Sequence, residues 1–165
     1  MQSFPRLVLA GFAAVALAAP VAGQRSDDQI QPKSVELMHQ GQTLLASGKL
    51  EDAENALETA LAVDPRNRWA YVDLARVAEK QRLFGKAVRM TDKALLIEPN
   101  DPDAIAVQGE AMVEMGATAR AQENLQKLQT ICGSKGCPQI SQLSAAITRG
   151  PTVASAKAPE SPKKD

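Results

Sequence analysis

Apolar residues recur every three or four places along most of this chain, the spacing that lines one face of a helix. Val35, Leu37, Met38, Gly41, Leu44 and Leu45 predict a first helix, and Ala53, Ala56, Leu57, Ala60 and Leu61 a second over 50–63. Trp69, Tyr71, Val72, Leu74, Ala75 and Ala78 predict a third. Ala87, Val88, Ala94 and Leu95 predict a fourth over 86–97. Ile105, Gly109, Met112 and Val113 continue the pattern, as do Ala121, Leu125 and Leu128. A last amphipathic segment holds Ile140, Leu143, Ala146 and Ile147. The breaks are equally regular. Ser47-Gly48, residues 81–85 and Gly116 supply turns, since glycine tolerates the left-handed conformation at a helix end. Asp64-Pro65 and Glu98-Pro99 stop helices, because proline disfavours helical geometry in the residue before it. Residues 24–33 are polar and read as a flexible lead-in, after which Ser34 is placed to cap the first helix through its hydroxyl.

The pattern is written more than once. An offset of 34 links Leu37 to Tyr71, Gly41 to Ala75, Ala53 to Ala87, Ala60 to Ala94 and Pro65 to Pro99. A fainter copy follows in Ile105, Gly109, Ala121 and Leu128. A period of this length, with small residues inside and proline near the end, marks a repeated helix hairpin. The expected fold is all-α, a solenoid of antiparallel hairpins over 34–67, 68–101 and 102–133, closed by a capping helix over 138–149. The cap is needed because the last repeat has no neighbour to bury its apolar face. Gly41 and Ala53 are expected where the two helices of a hairpin cross.

The ends and the cysteines add a setting. Residues 1–6 carry one positive charge and no acid, residues 7–19 are an unbroken apolar run, and Pro20 is followed by Val21, Ala22 and Gly23. That order is the signature of a secretory signal peptide over 1–23. An uncleaved anchor is the alternative, against which the run is short, since a membrane span needs about 20 residues. No other stretch has membrane length. Residues 150–165 are rich in Pro, Ala, Lys and Ser, a composition that leaves a tail disordered. Cys132 and Cys137 are an even pair in an exported chain, which favours a structural disulfide. Closing so short a loop gives about 2 kcal/mol in the chain-entropy model and fixes the turn before the cap. Lys+Arg and Asp+Glu are both 19. That balance argues against a nucleic-acid partner, which would call for a basic excess. Aromatics are only 3%, so the core must be built from Ala, Leu, Val and Met.

These residues resemble the tetratricopeptide repeat (TPR) family. The first copy offers Leu37, Gly41, Leu44, Ala53, Leu57, Ala60 and Pro65, and the second Tyr71, Leu74, Ala75, Ala87, Ala94 and Pro99. The third offers Ile105, Gly109, Met112, Ala121 and Leu125. Thr91 departs at a large position, Leu128 where alanine is usual and Gly133 where proline is usual. The closing run over 132–147 is similar to a tail that follows such repeats in some exported bacterial proteins. The resemblance implies a concave groove lined by the first helices of the hairpins. Carried over, its positions are Val35, Met38, Gln42 and Leu45, then Trp69, Val72, Arg76 and Glu79, then Asp103, Ala106, Glu110 and Val113. Some members grip a partner's C-terminal carboxylate with Lys, Asn and Arg. Those positions here hold Met38, Gln42, Asp73, Asp103 and Val107, which disfavours that mode.

Catalytic signals are weak. The single histidine, His39, has no oriented partner in sequence, as a general base requires. There is no phosphate loop, nucleophile elbow or metal-ligand cluster. Glu51 and Asp52 fall in a helix's first turn, where negative charge suits the dipole. The expectation is a non-catalytic adaptor without cofactor or metal, exported to the periplasm or beyond, in a bacterial cell envelope. It would bind a protein or peptide through Met38, Gln42, Trp69, Val72, Arg76, Glu79 and Glu110. Trp69 is either the anchor of that groove or packing between the first two repeats. The alternatives are a thiol-disulfide redox protein using Cys132 and Cys137, and a self-assembling homo-oligomeric repeat module.

Overall fold

The chain is helical wherever the apolar stripes fall and breaks where proline or a left-handed residue interrupts them. The computed structural model describes residues 29–152. The leader over 1–23, most of the lead-in and the tail beyond Thr152 lie outside the described residues. Seven α-helices follow in order: α1 (Pro32–Ala46), α2 (Leu50–Val63), α3 (Arg68–Lys80), α4 (Phe84–Ile97), α5 (Pro102–Glu114), α6 (Thr118–Cys132) and α7 (Pro138–Arg149). They pair as the hairpins α1–α2, α3–α4 and α5–α6, with α7 packed on both α5 and α6.

Three boundaries differ from expectation. Helix α1 begins at Pro32, inside the expected lead-in, with Gln31 at the cap position. Pro32 suits the first turn, where its missing N–H removes a donor that has no partner anyway. Ser34 is therefore no cap. It is buried, its hydroxyl donates to the Ala60 carbonyl at 2.7 Å and accepts from Asn67 Nδ2 at 2.9 Å. The second hairpin's turn is also shorter than expected. Helix α4 starts at Phe84, so Gly85 lies within it. The left-handed residue is Arg82, at φ +61°, where the other hairpins use Gly48 and Gly116. Finally, residues 150–152 are placed, because Thr152 donates through both its N–H and its hydroxyl to Glu114.

Helix starts are set by polar side chains 34 places apart. Asn67 accepts from the Ala70 N–H, and Asp101 accepts from the Ala104 N–H at 3.0 Å. Each satisfies a donor that the helix itself leaves unpaired. Asp64 does a related job between hairpins. Its carboxylate accepts from the Gln31 N–H, the Arg66 N–H and the Arg66 guanidinium. The Arg66 bond is the chief cause that brings its pKa down to about 2.

The core forms three connected layers, one at each junction of helices. Small residues allow the close approaches. A Cβ on Gly41 would stand 2.6 Å from Leu57 Cγ, which is fully buried. Gly41→Leu should therefore overpack the first crossing and cost about 2 kcal/mol. Chemical denaturation followed by helical circular dichroism measures this, and an unchanged midpoint would show that the crossing can open without penalty. Gly109 plays the same part against the cap. Its missing Cβ leaves room for Leu143, whose Cδ1 and Cδ2 would lie 2.6 and 2.7 Å away. Cys132 and Cys137 are joined, with sulfurs 2.07 Å apart, where α6 gives way to α7. No described helix is long and apolar enough to cross a membrane.

Candidate functional site

The first helix of each hairpin carries a polar residue toward the next, and these residues form a ladder across α1, α3, α5 and α7. Gln42 Nε2 donates to Asp73 Oδ2 at 2.7 Å, and Arg76 Nη1 donates to Asp73 Oδ1 at 2.9 Å. Arg76 Nη2 then reaches Asp103 Oδ1 at 3.0 Å, and Gln139 Nε2 donates to the same oxygen at 3.2 Å. Asp73 is buried beneath this ladder, while the Asp103 side chain remains 46% exposed. Both hands of the Arg76 guanidinium are occupied by these two aspartates. The floor thus holds two carboxylates to one cation.

Two clefts adjoin at Gln42 and Trp69. One, about 340 Å³, is lined by Val35, Met38, His39, Gln42 and Trp69. The other, about 150 Å³, is lined by Gln42, Trp69, Val72, Asp73, Arg76 and Asp103. Met38 and Val72 form floor rather than rim, being nearly buried in the core layers. Trp69 is 39% exposed, and the Arg68 guanidinium lies 4.0 Å from its ring centre. Arg68 is itself fixed by Asp101 at 2.9 Å. The ring is thus held from one side by a stacked cation and open on the other. Trp69 is part-exposed beside both clefts.

Further along the same helices lies a third cavity, about 380 Å³, lined by Glu79, Lys80, Arg82, Phe84, Glu110, Glu114, Arg149 and Thr152. Burial, reinforced by the charges of Glu110 and Glu114, pushes Glu79 up to about 8 despite Arg76 and Lys80 nearby. Burial likewise raises Glu110, although Gln142 donates to it and Arg149 and Arg76 stand close. For Glu114, burial works against the charge. The two bonds from Thr152, with Arg149 and Arg82 nearby, outweigh it and hold that carboxyl below its usual value.

The expected groove residues therefore divide. Met38, Gln42, Trp69, Val72 and Arg76 meet around the two adjoining clefts, whereas Glu79 and Glu110 belong to the third cavity. Ala106 and Val113 are not in the groove at all. They are fully buried in the layer that contains Leu143, because α7 packs along α5 and covers them. The residues missed by sequence reasoning are His39 at the rim, Gln139 on the cap, and Arg82, Glu114 and Arg149 around the far cavity. The four-place spacing of Glu110 and Glu114 on α5 was a visible signal for Glu114. Gln139 and Arg149 required knowing where α7 docks. His39 Nδ1 lies 3.0 Å from Gln42 Oε1 and no carboxylate orients the ring. No cluster of His, Cys, Asp and Glu suited to a metal occurs among the described residues. What the arrangement offers chemically is a shaped, partly apolar surface, acidic at the Asp73–Asp103 end and of mixed charge around the third cavity.

Comparison with known proteins fits this geometry. Residues 44–111 match the tetratricopeptide repeat family model. No curated protein sequence gives a significant match. Among solved structures, the chain is similar to the Sgt2 TPR domain from Aspergillus fumigatus. The identity is 22% and the TM-score 0.67, over 87% of this chain and 93% of that one. It is similar to the TPR2B domain of yeast Sti1 in complex with pHsp70, at 22% identity and TM-score 0.64, over 71% and 97% of the two chains. It is also similar to the second TPR domain of human RPAP3 in complex with the HSP70 peptide SGPTIEEVD. There the identity is 20% and the TM-score 0.61, over 69% and 94%. At such identities these likenesses establish the fold. Together with the repeat period and the match over residues 44–111, they show a tetratricopeptide-type helical repeat fold.

Proposed function

We propose that this protein is a non-catalytic adaptor of a bacterial cell envelope, exported by its leader, that holds an extended segment of a partner protein against the inner face of α1, α3 and α5. The observation that carries this reading is the open cleft at Trp69. An exposed tryptophan, stiffened by Arg68 and floored by Met38, is a ready-made anchor for an apolar side chain. Tryptophan is enriched among the few residues that dominate binding energy in interfaces. Beside it, the ladder from Gln42 to Gln139 keeps the floor rigid, so little side-chain entropy remains to be lost on binding. Two of the similar domains are solved with heat-shock-protein partners, RPAP3 with an HSP70 peptide and Sti1 with pHsp70, which supports the same use of the fold here.

The test is crosslinking in the native envelope followed by identification of captured protein. Trp69→Ala should lower specific capture at least about tenfold, the loss expected when a buried anchor is truncated, while the helical circular dichroism stays unchanged. Undiminished capture would remove the Trp69 cleft from the binding site.

A further inference from the structure

The floor of the groove has a charge, and that charge selects a class of partner. Asp73 and Asp103 face the cleft beside Trp69 with only Arg76 between them, and Arg76 is bonded to both. No guanidinium or ammonium is left there to receive a partner's carboxylate. Asp73 is buried and already accepts two hydrogen bonds, so it cannot turn away. Asp103 is half-exposed and has room for a further donor. Farther along α3 and α5, Glu79 and Glu110 share their cavity with Lys80, Arg82 and Arg149, so the acidic excess is confined to the Asp73–Asp103 end.

Resting on the groove assignment above, we infer that the segment this protein binds is internal and basic, with an apolar side chain seated at Trp69 and a lysine or arginine beside Asp103, rather than an acidic C-terminal tail. A free carboxylate or a run of glutamates would be set against Asp73 and Asp103, and like-charge juxtaposition is the strongest element of discrimination an interface can build. A basic segment satisfies the exposed oxygens of Asp103 and neutralises the floor.

The lone tryptophan reports the result directly, since Trp69 is the chain's single one. The full chain is titrated with the acidic peptide SGPTIEEVD bearing a free C-terminus and with the charge-reversed, amidated peptide SGPTIKKVK, following Trp69 fluorescence. The basic peptide should bind at least about tenfold tighter at low salt, with the ratio shrinking as salt is added. Asp103→Lys should narrow the ratio to within about threefold or invert it. Asp103→Asn, which keeps the side chain's size, should move it the same way and guards against a misfolded first variant. Tighter binding of the acidic peptide overturns the inference. Equal affinities with unchanged response in both Asp103 variants overturn the charge assignment and leave the groove standing. Silence of Trp69 with both peptides overturns this inference and the Trp69 groove together.

Discussion

Leu143→Ala lowers the unfolding free energy by about 3 kcal/mol, toward the middle of the range for truncating a buried leucine. Leu143 is fully buried and rests directly on the backbone at Gly109. Gly109 has no side chain to move into the space, and Ala106 in the same layer is small. The cavity therefore stays open and its full cost is felt. The consequence reaches beyond one residue. Helix α7 is the element that covers α5 and α6 at this end of the stack, and in such arrays each unit is stabilised chiefly by its neighbours. Urea denaturation should show a lower midpoint, with a reduced slope where the cap frays before the rest. A midpoint equal to the wild-type value would mean that α7 does not close the core.

Raising the pH from 5 to 9 destabilises the protein through Glu79. Its folded pKa of about 8 lies above the ordinary 4.5, so between those values the folded chain holds a proton the unfolded chain has released. Stability then falls as pH rises through that interval, and the penalty is complete above the folded value. The whole displacement would correspond to no more than about 5 kcal/mol. Water at the open side of the cavity reduces this to about 2 kcal/mol, the size of a partly solvated buried charge. Glu79→Gln removes the proton equilibrium and keeps the shape. It should match wild type at pH 4 and exceed it by about 2 kcal/mol at pH 9. Thermal melts of both proteins across that range provide the measurement, and parallel curves would show that the carboxyl at Glu79 is ordinarily solvated.

The architecture was legible because it is periodic. Small residues at Gly41, Ala53, Ala60, Ala87 and Ala94, and prolines at Pro65 and Pro99, recur at one offset, and the first two hairpins follow from them, the third from the fainter copy at Ile105, Gly109 and Ala121. What the period could not show were the departures. Arg82 replaces a turn glycine, and α4 begins at Phe84, inside the expected 81–85 turn. Ser34 has the chemistry of a helix cap, yet its hydroxyl is taken by the Ala60 carbonyl across the hairpin. Local preference lost to a long-range partner, as propensity does wherever a buried polar group must be satisfied. For the candidate site, sequence spacing grouped Gln42, Trp69 and Arg76, which line the two adjoining clefts on α1 and α3. It failed at Ala106 and Val113 because the docking of α7 has no periodic signature. It also could not show that Arg76 is shared by Asp73 and Asp103, which turns the only cation of the expected groove into a structural tie.

The central claim is that the Trp69 side of the stack, and not its outer surface, meets the partner. A photo-crosslinking residue placed at His39, on the rim of the Trp69 cleft, is compared with one at Thr59, exposed on α2. Both are introduced into the full chain in its native setting. The account predicts a discrete adduct from His39 that disappears in the Trp69→Ala background, and none from Thr59. An adduct from Thr59 with none from His39 would contradict it.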